Sequence, residues 1–317
     1  MPKFRNENEP TINMIEQGNG IDKGRYLPAH SIDMIFCHPP NYNNSNDKLL
    51  NNWGCDNDYY QWFRTFANIA ANKLKKTGVF YLIGDIDNVN KLISIIEEFG
   101  FIHIDTYYFT KNRKNNGVRK ITGKNVKVIE SIFVFIKDFQ KDIKKLLKLK
   151  QQEAKKSARE INMELTGNPN GGGYWSLYCG ENSRNMIPTE EHWEKLKILL
   201  DIDIEYENIN TQYRMFEGEN LWEDINYEDD KFLSGVNIPV ILFERLIKMN
   251  RKNPEEFIIW DPFCGYGNST LACRKLKCKY YAQELDMKVY FKAMINTGNS
   301  VNISKPLLSQ QIETIEI

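Results

Sequence analysis

No apolar run in the 317 residues approaches the roughly 18 needed to cross a bilayer. The N-terminal stretch MPKFRNENEP has no hydrophobic signal core, so the sequence predicts a cytoplasmic protein without a membrane partner. Cysteine is sparse: Cys37, Cys55, Cys179, Cys264, Cys273 and Cys278 form no CxxC pair, which argues against a zinc site or a disulfide framework. Reduced, half-buried thiols and no metal are expected. Net charge is also lacking, with Lys+Arg and Asp+Glu at 42 each, so overall charge points to no partner. There is no internal repeat. With 41% hydrophobic and 26% charged residues, the chain suits one large globular domain or a domain carrying a sizeable insertion.

The chain alternates buried runs with helical spacing. Thr11 to Met14 begins a short strand ending at Gly18-Asn19, and Ile32 to Cys37 is a continuous apolar run of the kind a parallel sheet buries on both faces. Tyr59, Trp62, Phe63, Phe66 and Ile69 recur at helical spacing over Asp58 to Leu74, and Thr77-Gly78 ends that connection. Val79 to Ile83, Phe101 to Phe109 and Val126 to Ile136 read as strands, with a helix over Val89 to Phe99. This rhythm predicts a doubly wound α/β sheet. From about Lys137 to Asp230 it breaks into a Lys-rich helix, the glycine-rich TGNPNGGGYWSLYCGENSRN, an amphipathic helix around Glu190 to Leu200 and acidic sequence, read as an inserted module rather than more sheet. It returns with helices over Ile238 to Met249, Ser269 to Leu276 and Met287 to Thr297, and strands at Phe257 to Trp260 and Tyr280 to Gln283. The expected divisions are 1–136, 137–230 and 231–317.

In FIIWDPFCGYGNST an apolar strand runs into a turn where Gly265 and Gly267 let the backbone approach a ligand, and the following helix aims its N-terminal amides there. A lone GxG is weak evidence. Here Asp261 at the strand end can hold a cationic amino group, and Glu284, ending the next strand about 20 residues on, can accept from both ribose hydroxyls. A phosphate cradle would want a P-loop lysine or GxGxxG, and neither is present. The combination suits S-adenosylmethionine, with Pro262, Phe263, Asn268 and Ser269 in the same loop as further cofactor candidates.

At the other end of the chain, SIDMIFCHPPNY is a buried strand stopping on a rigid Pro-Pro. Proline sets the backbone angle and removes a competing donor, so a carbonyl there is fixed. An exocyclic aromatic amine becomes nucleophilic when hydrogen-bond acceptors draw on both its protons. His38 and the Pro39 carbonyl are candidate acceptors, within a motif of His38, Pro39, Pro40, Asn41 and Tyr42, with Tyr42 the candidate stacking platform. Cys37 closes the strand beside them.

These two motifs, in this order, resemble the β-class amino-methyltransferases of DNA, in which [DNS]PP[YFW] is N-terminal, a target-recognition region follows and FxGxG comes last. The likeness covers nearly the whole chain. QGNGID resembles the family's Gly-Asp segment with Asn19 in place of Asp, and VIESIFVFIK the strand after the substrate pocket. SGVNIPVILFERLI, with Asn237 and Pro239, resembles the helix leading into the cofactor strand, and QELD the ribose-binding acidic position. RNMIPTEEHWEKLKILLD and EYENINTQYRMFEGENLWEDI resemble, more loosely, recognition regions of phage-type adenine methyltransferases. The resemblance implies a Rossmann-like methyltransferase sheet with circularly permuted motif order, Asn19, Cys37 and Asn237 near the cofactor, and methylation of double-stranded DNA, in restriction-modification settings among others. It leaves a homodimer or a separate restriction or modification subunit open. Two positions depart from the family pattern: His38 stands where it has Asp, Asn or Ser, and Asn41 separates Pro-Pro from the aromatic residue.

A duplex base must be flipped out to reach such a pocket, at a cost of a few kcal/mol that backbone contacts offset. Lys111, Arg113, Lys114, Arg119, Lys120 and Lys124 lie in a run without an acidic residue and are candidate phosphate contacts. Trp175 and Arg184, with Tyr174, could read base edges or simply pack the insert. Adenine N6 is the preferred target. Cytosine N4, a catalytically weakened DNA-binding subunit and RNA methylation are the rivals.

Overall fold

Eight strands form one sheet in the computed structural model, which describes residues 10–40, 56–84, 89–110, 129–137, 140–168, 173–179, 187–206, 209, 220–225, 238–250, 253 and 255–298. In chain order the elements are β1 (Met14–Gln17), α1 (Gly20–Gly24), β2 (Ile32–Cys37), α2 (Asp56–Lys73), β3 (Leu74–Gly84), α3 (Val89–Glu98), β4 (Phe101–Thr110) and β5 (Ile129–Lys137). There follow α4 (Gln140–Glu153), α5 (Ala158–Thr166), α6 (Tyr174–Cys179), α7 (Glu190–Leu200) and β6 (Leu221–Trp222). The last are α8 (Val240–Asn250), β7 (Ile258–Asp261), α9 (Asn268–Lys275), β8 (Lys279–Glu284) and α10 (Met287–Asn296).

The strand order is β1-β8-β7-β2-β3-β5-β4-β6. Only β5 runs against its neighbours. Alternation along β2 shows why its inner residues from Met34 on are apolar: Met34 and Phe36 join a core shared with α8, α9 and α10, while Ile35 and Cys37 face α1, α2 and α3. Both faces are covered, so a charged residue mid-strand would have no water to reach. The doubly wound sheet expected from the sequence is the one observed.

Two details differ from the sequence reading. Thr77 and Gly78 do not end the connection but lie within β3, at an irregularity where Ile32 pairs with Leu74 and Met34 with Val79. A Cβ on Gly78 would sit 2.7 Å from the Leu74 side chain, so the bulge requires glycine. The second concerns residues 137–230, which were expected to add no strand. Helices α4–α7 do bury a cluster of their own around Leu147, Trp193 and Leu196. Beyond them, however, Leu221 and Trp222 pair in parallel with Tyr108 and Phe109 and close the sheet edge as β6. Trp222 explains this: its ring stacks on Tyr107 at 4.8 Å and 18°, and the Arg245 guanidinium of α8 lies over it at 5.0 Å.

Among the described residues no helix is long and apolar enough to cross a membrane, and no three His, Cys, Asp or Glu side chains gather as a metal site.

Candidate active site

From β7 the chain crosses by α9 to β8 on one side, and from β2 by α2 to β3 on the other. The carboxyl ends of β7 and β2, hydrogen-bonded neighbours, therefore flank a topological switch point, where open α/β sheets leave a ligand crevice. A cleft of about 380 Å³, counted with the solvent-open space at its mouth, lies there. His38 and Phe36 come to it from the end of β2, and Asp261, Phe263, Cys264, Gly265, Tyr266 and Asn268 from β7 and its loop. Sequence-distant motifs thus share one wall.

Asp261 is buried, and its Oδ1 accepts the Phe263 amide at 3.1 Å. Burial pushes its pKa up to about 6, while the Ser269 hydroxyl and the Phe263 amide draw it back down. The Ser269 hydroxyl forms no well-shaped hydrogen bond and is buried, leaving valence to spare. Glu284 is raised to about 7, again chiefly by burial, with the Asp286 and Gly265 amides opposing and the Asp286 and Asp261 charges adding. Its two oxygens are both engaged: Oε2 takes the Gly265 amide at 3.0 Å and Oε1 the Asp286 amide at 2.8 Å. Glu284 therefore holds in shape the glycine turn that borders the cleft.

The glycines do different things. Gly265 has φ +54° and no atom within 4 Å of where its Cβ would be, so that side of the turn is open. Gly267, at φ +80°, caps α9, and its Cβ would press on Thr297 at 2.9 Å and Ile15 at 3.0 Å. Asn268 donates to the Ile238 carbonyl at 2.9 Å and accepts from Asn296 at 3.0 Å, tying the loop to the approach to α8 and to α10.

Pro39 is buried after His38, and Pro40 half-buried. Asn41 and Tyr42 lie outside the described residues, as do Asn237, Arg184 and the basic run with Lys111, Arg113, Lys114, Arg119, Lys120 and Lys124. Cys37 points away from the cleft into the core beneath α2, where burial and then Asp261 hold its thiol far above the usual range. Asn19 caps α1, its Oδ1 accepting the Ile21 amide at 2.9 Å. Of the two readings of Trp175, base edge or packing of the insert, its place fits the second. It packs in the core of α4–α7, its indole donating to Gln151 at 3.2 Å, so its ring is not available to a base edge.

Several lining residues escaped the sequence reading. Ile83, Ile238 and Phe243 give the cleft its apolar lining, and nothing distinguishes them in sequence from ordinary core. Gly20 and Gly24, which support the site from α1, were not singled out either. A Cβ on Gly20 would lie 2.2 Å from the Pro262 carbonyl oxygen, and one on Gly24 2.4 Å from the Trp260 ring, so α1 rests directly on the cofactor-candidate strand and loop.

Residues 32–295 match the profile of the DNA methylase family of N6/N4 methyltransferases. Type II methyltransferase M.HinfI of Haemophilus influenzae is 28% identical over 105 residues, 28% of this chain and 29% of its own. The chain thus spans less than a third of that relative's length in the match. The cytosine-N4-specific PvuII DNA methyltransferase superposes with a TM-score of 0.53 at 16% identity, over 95% of this chain and 91% of that one. The M1.HpyAVI–SAM complex gives 0.49 at 16% identity, over 89% and 98%.

Proposed function

The chain belongs to the DNA methylase family, and we propose that it transfers a methyl group from S-adenosylmethionine to the exocyclic amine of a base flipped out of double-stranded DNA, adenine N6 first. The observation that carries this reading is the meeting of His38 with Asp261, Phe263 and Gly265 on one cleft at the switch point.

The residues present fit the cofactor. Ser269 offers a buried hydroxyl beside Asp261, and the Gly265 turn is open where a side chain would otherwise project. Asp261 would hold the amino group, Glu284 the ribose and Phe263 an apolar flank. When bound, S-adenosylmethionine supplies a methyl group activated by a sulfonium. The chain prepares the nucleophile: a neutral His38 ring nitrogen accepts one amine hydrogen and the Pro39 carbonyl the other, concentrating the lone pair on nitrogen. The proton displaced as the new N–C bond forms leaves through His38. The apolar lining of Phe36, Ile83, Ile238 and Phe243 excludes water that would compete for those acceptors.

The three divisions 1–136, 137–230 and 231–317 would then be the catalytic half, the target-reading insert and the cofactor half, with the basic run over 111–127 on DNA phosphates. Reduced, cytoplasmic conditions suit Cys37, Cys179, Cys264, Cys273 and Cys278, all buried and none in a disulfide. Cytosine N4 is the second reading, because the pair of acceptors at His38 and Pro39 suits either amine.

The test is methylation of duplex DNA by the purified chain with methyl-labelled cofactor, the product base identified after digestion. His38→Ala should lose at least about a hundredfold in single-turnover rate with cofactor binding intact, the usual scale for a general base. His38→Asp should keep activity and lose the decline that the parent shows below about pH 6.5, where an ordinary imidazole protonates. A His38→Ala chain as fast as the parent would remove the motif from catalysis.

A further inference from the structure

Phe263 lines the cleft half-buried, in a loop whose backbone is pinned by Asp261, yet its ring is oriented by a helix from the other half of the chain. Two residues of α2 hold it. Phe66 meets it edge-on at 5.4 Å and 61°, and Trp62 lies tilted against it at 5.5 Å and 43°. Phe66 is fully buried and also packs on Trp260 and Phe80, so it would be present in the core whatever the cleft bound. Trp62 is different: it is only half-buried, and beyond Phe263 it stacks on Tyr59 at 5.6 Å and 29°. Tyr59, Trp62 and Phe66 share one face of α2, which begins shortly after the His38-Pro39-Pro40 segment. An aromatic ladder thus runs from the catalytic half across the switch point to the cofactor loop.

We propose that Trp62 is a positioning residue for cofactor binding: it sets the plane of the Phe263 ring at the cleft wall, and a flat, correctly tilted aromatic is what the site requires there. This rests on the cofactor reading above. An aromatic pair contributes enough beyond area burial to change a binding constant about two- to tenfold, and Trp62, the half-buried link between Tyr59 and Phe263, costs the core less on loss than fully buried Phe66 would. The effect belongs to affinity. Nothing about Trp62 touches the reacting nitrogen, so it should appear in the cofactor KM and dissociation constant and not in kcat.

The experiment is S-adenosylmethionine titration, by calorimetry and by intrinsic fluorescence, of the parent, Trp62→Ala, Trp62→Leu and Trp62→Phe in the full chain, each checked for cooperative melting. Trp62→Ala and Trp62→Leu should bind about five- to tenfold more weakly, with cofactor KM raised to match, while Trp62→Phe returns to within about twofold of the parent. Part of the parent's fluorescence change on binding should vanish in Trp62→Phe. If Trp62→Leu binds as the parent does, or if Trp62→Phe is no better than Trp62→Leu, ring geometry at this position is irrelevant and the inference falls alone. A parent that does not bind S-adenosylmethionine removes the cofactor reading itself, and the inference with it.

Discussion

At residue scale the cofactor loop separates side chains by what their absence or presence leaves open. Gly265 and Gly267 have the same sign of φ, yet the space beside them differs: open at Gly265, filled by Ile15 and Thr297 at Gly267. Both would pay the left-handed backbone cost, about 1–2 kcal/mol for a non-glycine residue. Gly267→Ala adds an overpacking cost of roughly 1–3 kcal/mol, so it should lower the melting temperature of the free protein by more than Gly265→Ala does. Gly265→Ala should instead weaken S-adenosylmethionine, because its methyl group points where the ligand is proposed to lie. Equal melting temperatures, with equal affinities, would remove the distinction. From sequence the two glycines look alike. Glu284 has a related subtlety: its position was legible, but not that both its oxygens already accept backbone amides, which requires the folded turn to be seen.

At element scale, legibility followed burial. β2 and β7 announce themselves because a strand covered on both faces has no polar alternation to blur, and the helices around them carry long apolar stripes. Short elements did not. The five residues of α1, GIDKG, have too few side chains for any period to show. They serve close approach instead, bringing the helix against Pro262 and Trp260. β6 is two residues long within acidic sequence, and only Trp222 hinted at burial. Arg245, which covers that tryptophan, is also paired with Asp224 just beyond the strand, so α8 and β6 are clipped together. The role of α1 can be tested at Gly20. A methyl group there meets a backbone oxygen that no rotamer change can move, so Gly20→Ala should lower the melting temperature by several degrees, about 2–4 °C for each kcal/mol in a chain of this order. Cofactor affinity should fall with it as Pro262 is displaced. A Gly20→Ala chain that melts with the parent would show that α1 does not bear on the loop.

At the scale of the whole molecule, the sheet topology brings buried Asp261 and half-buried Glu284 to the ends of neighbouring strands beside the switch point, and this couples folding, ligand and pH. Asp261 near 6 and Glu284 near 7 are both raised by burial above the roughly 4 of unfolded carboxyls. Between about pH 4 and 7 the folded chain therefore holds protons that the unfolded chain has released. Their contribution to stability is complete below about pH 4 and is lost as pH rises through 6 and then 7, on the order of 3 kcal/mol for each group. A bound ammonium beside Asp261 and ribose hydroxyls on Glu284 favour the ionised forms instead. Binding should thus release protons near pH 6, and affinity should rise from pH 5 to about 7.5 and then level off. Melting the chain with and without saturating S-adenosylmethionine across this range should show a ligand-induced gain in melting temperature that grows with pH. Calorimetry in buffers of different ionisation enthalpy should record the proton release directly. A gain that stays flat from pH 5 to 8, with no proton released, would mean that these carboxyls do not change ionisation on binding, and the roles given to Asp261 and Glu284 would have to pass to other groups in the cleft.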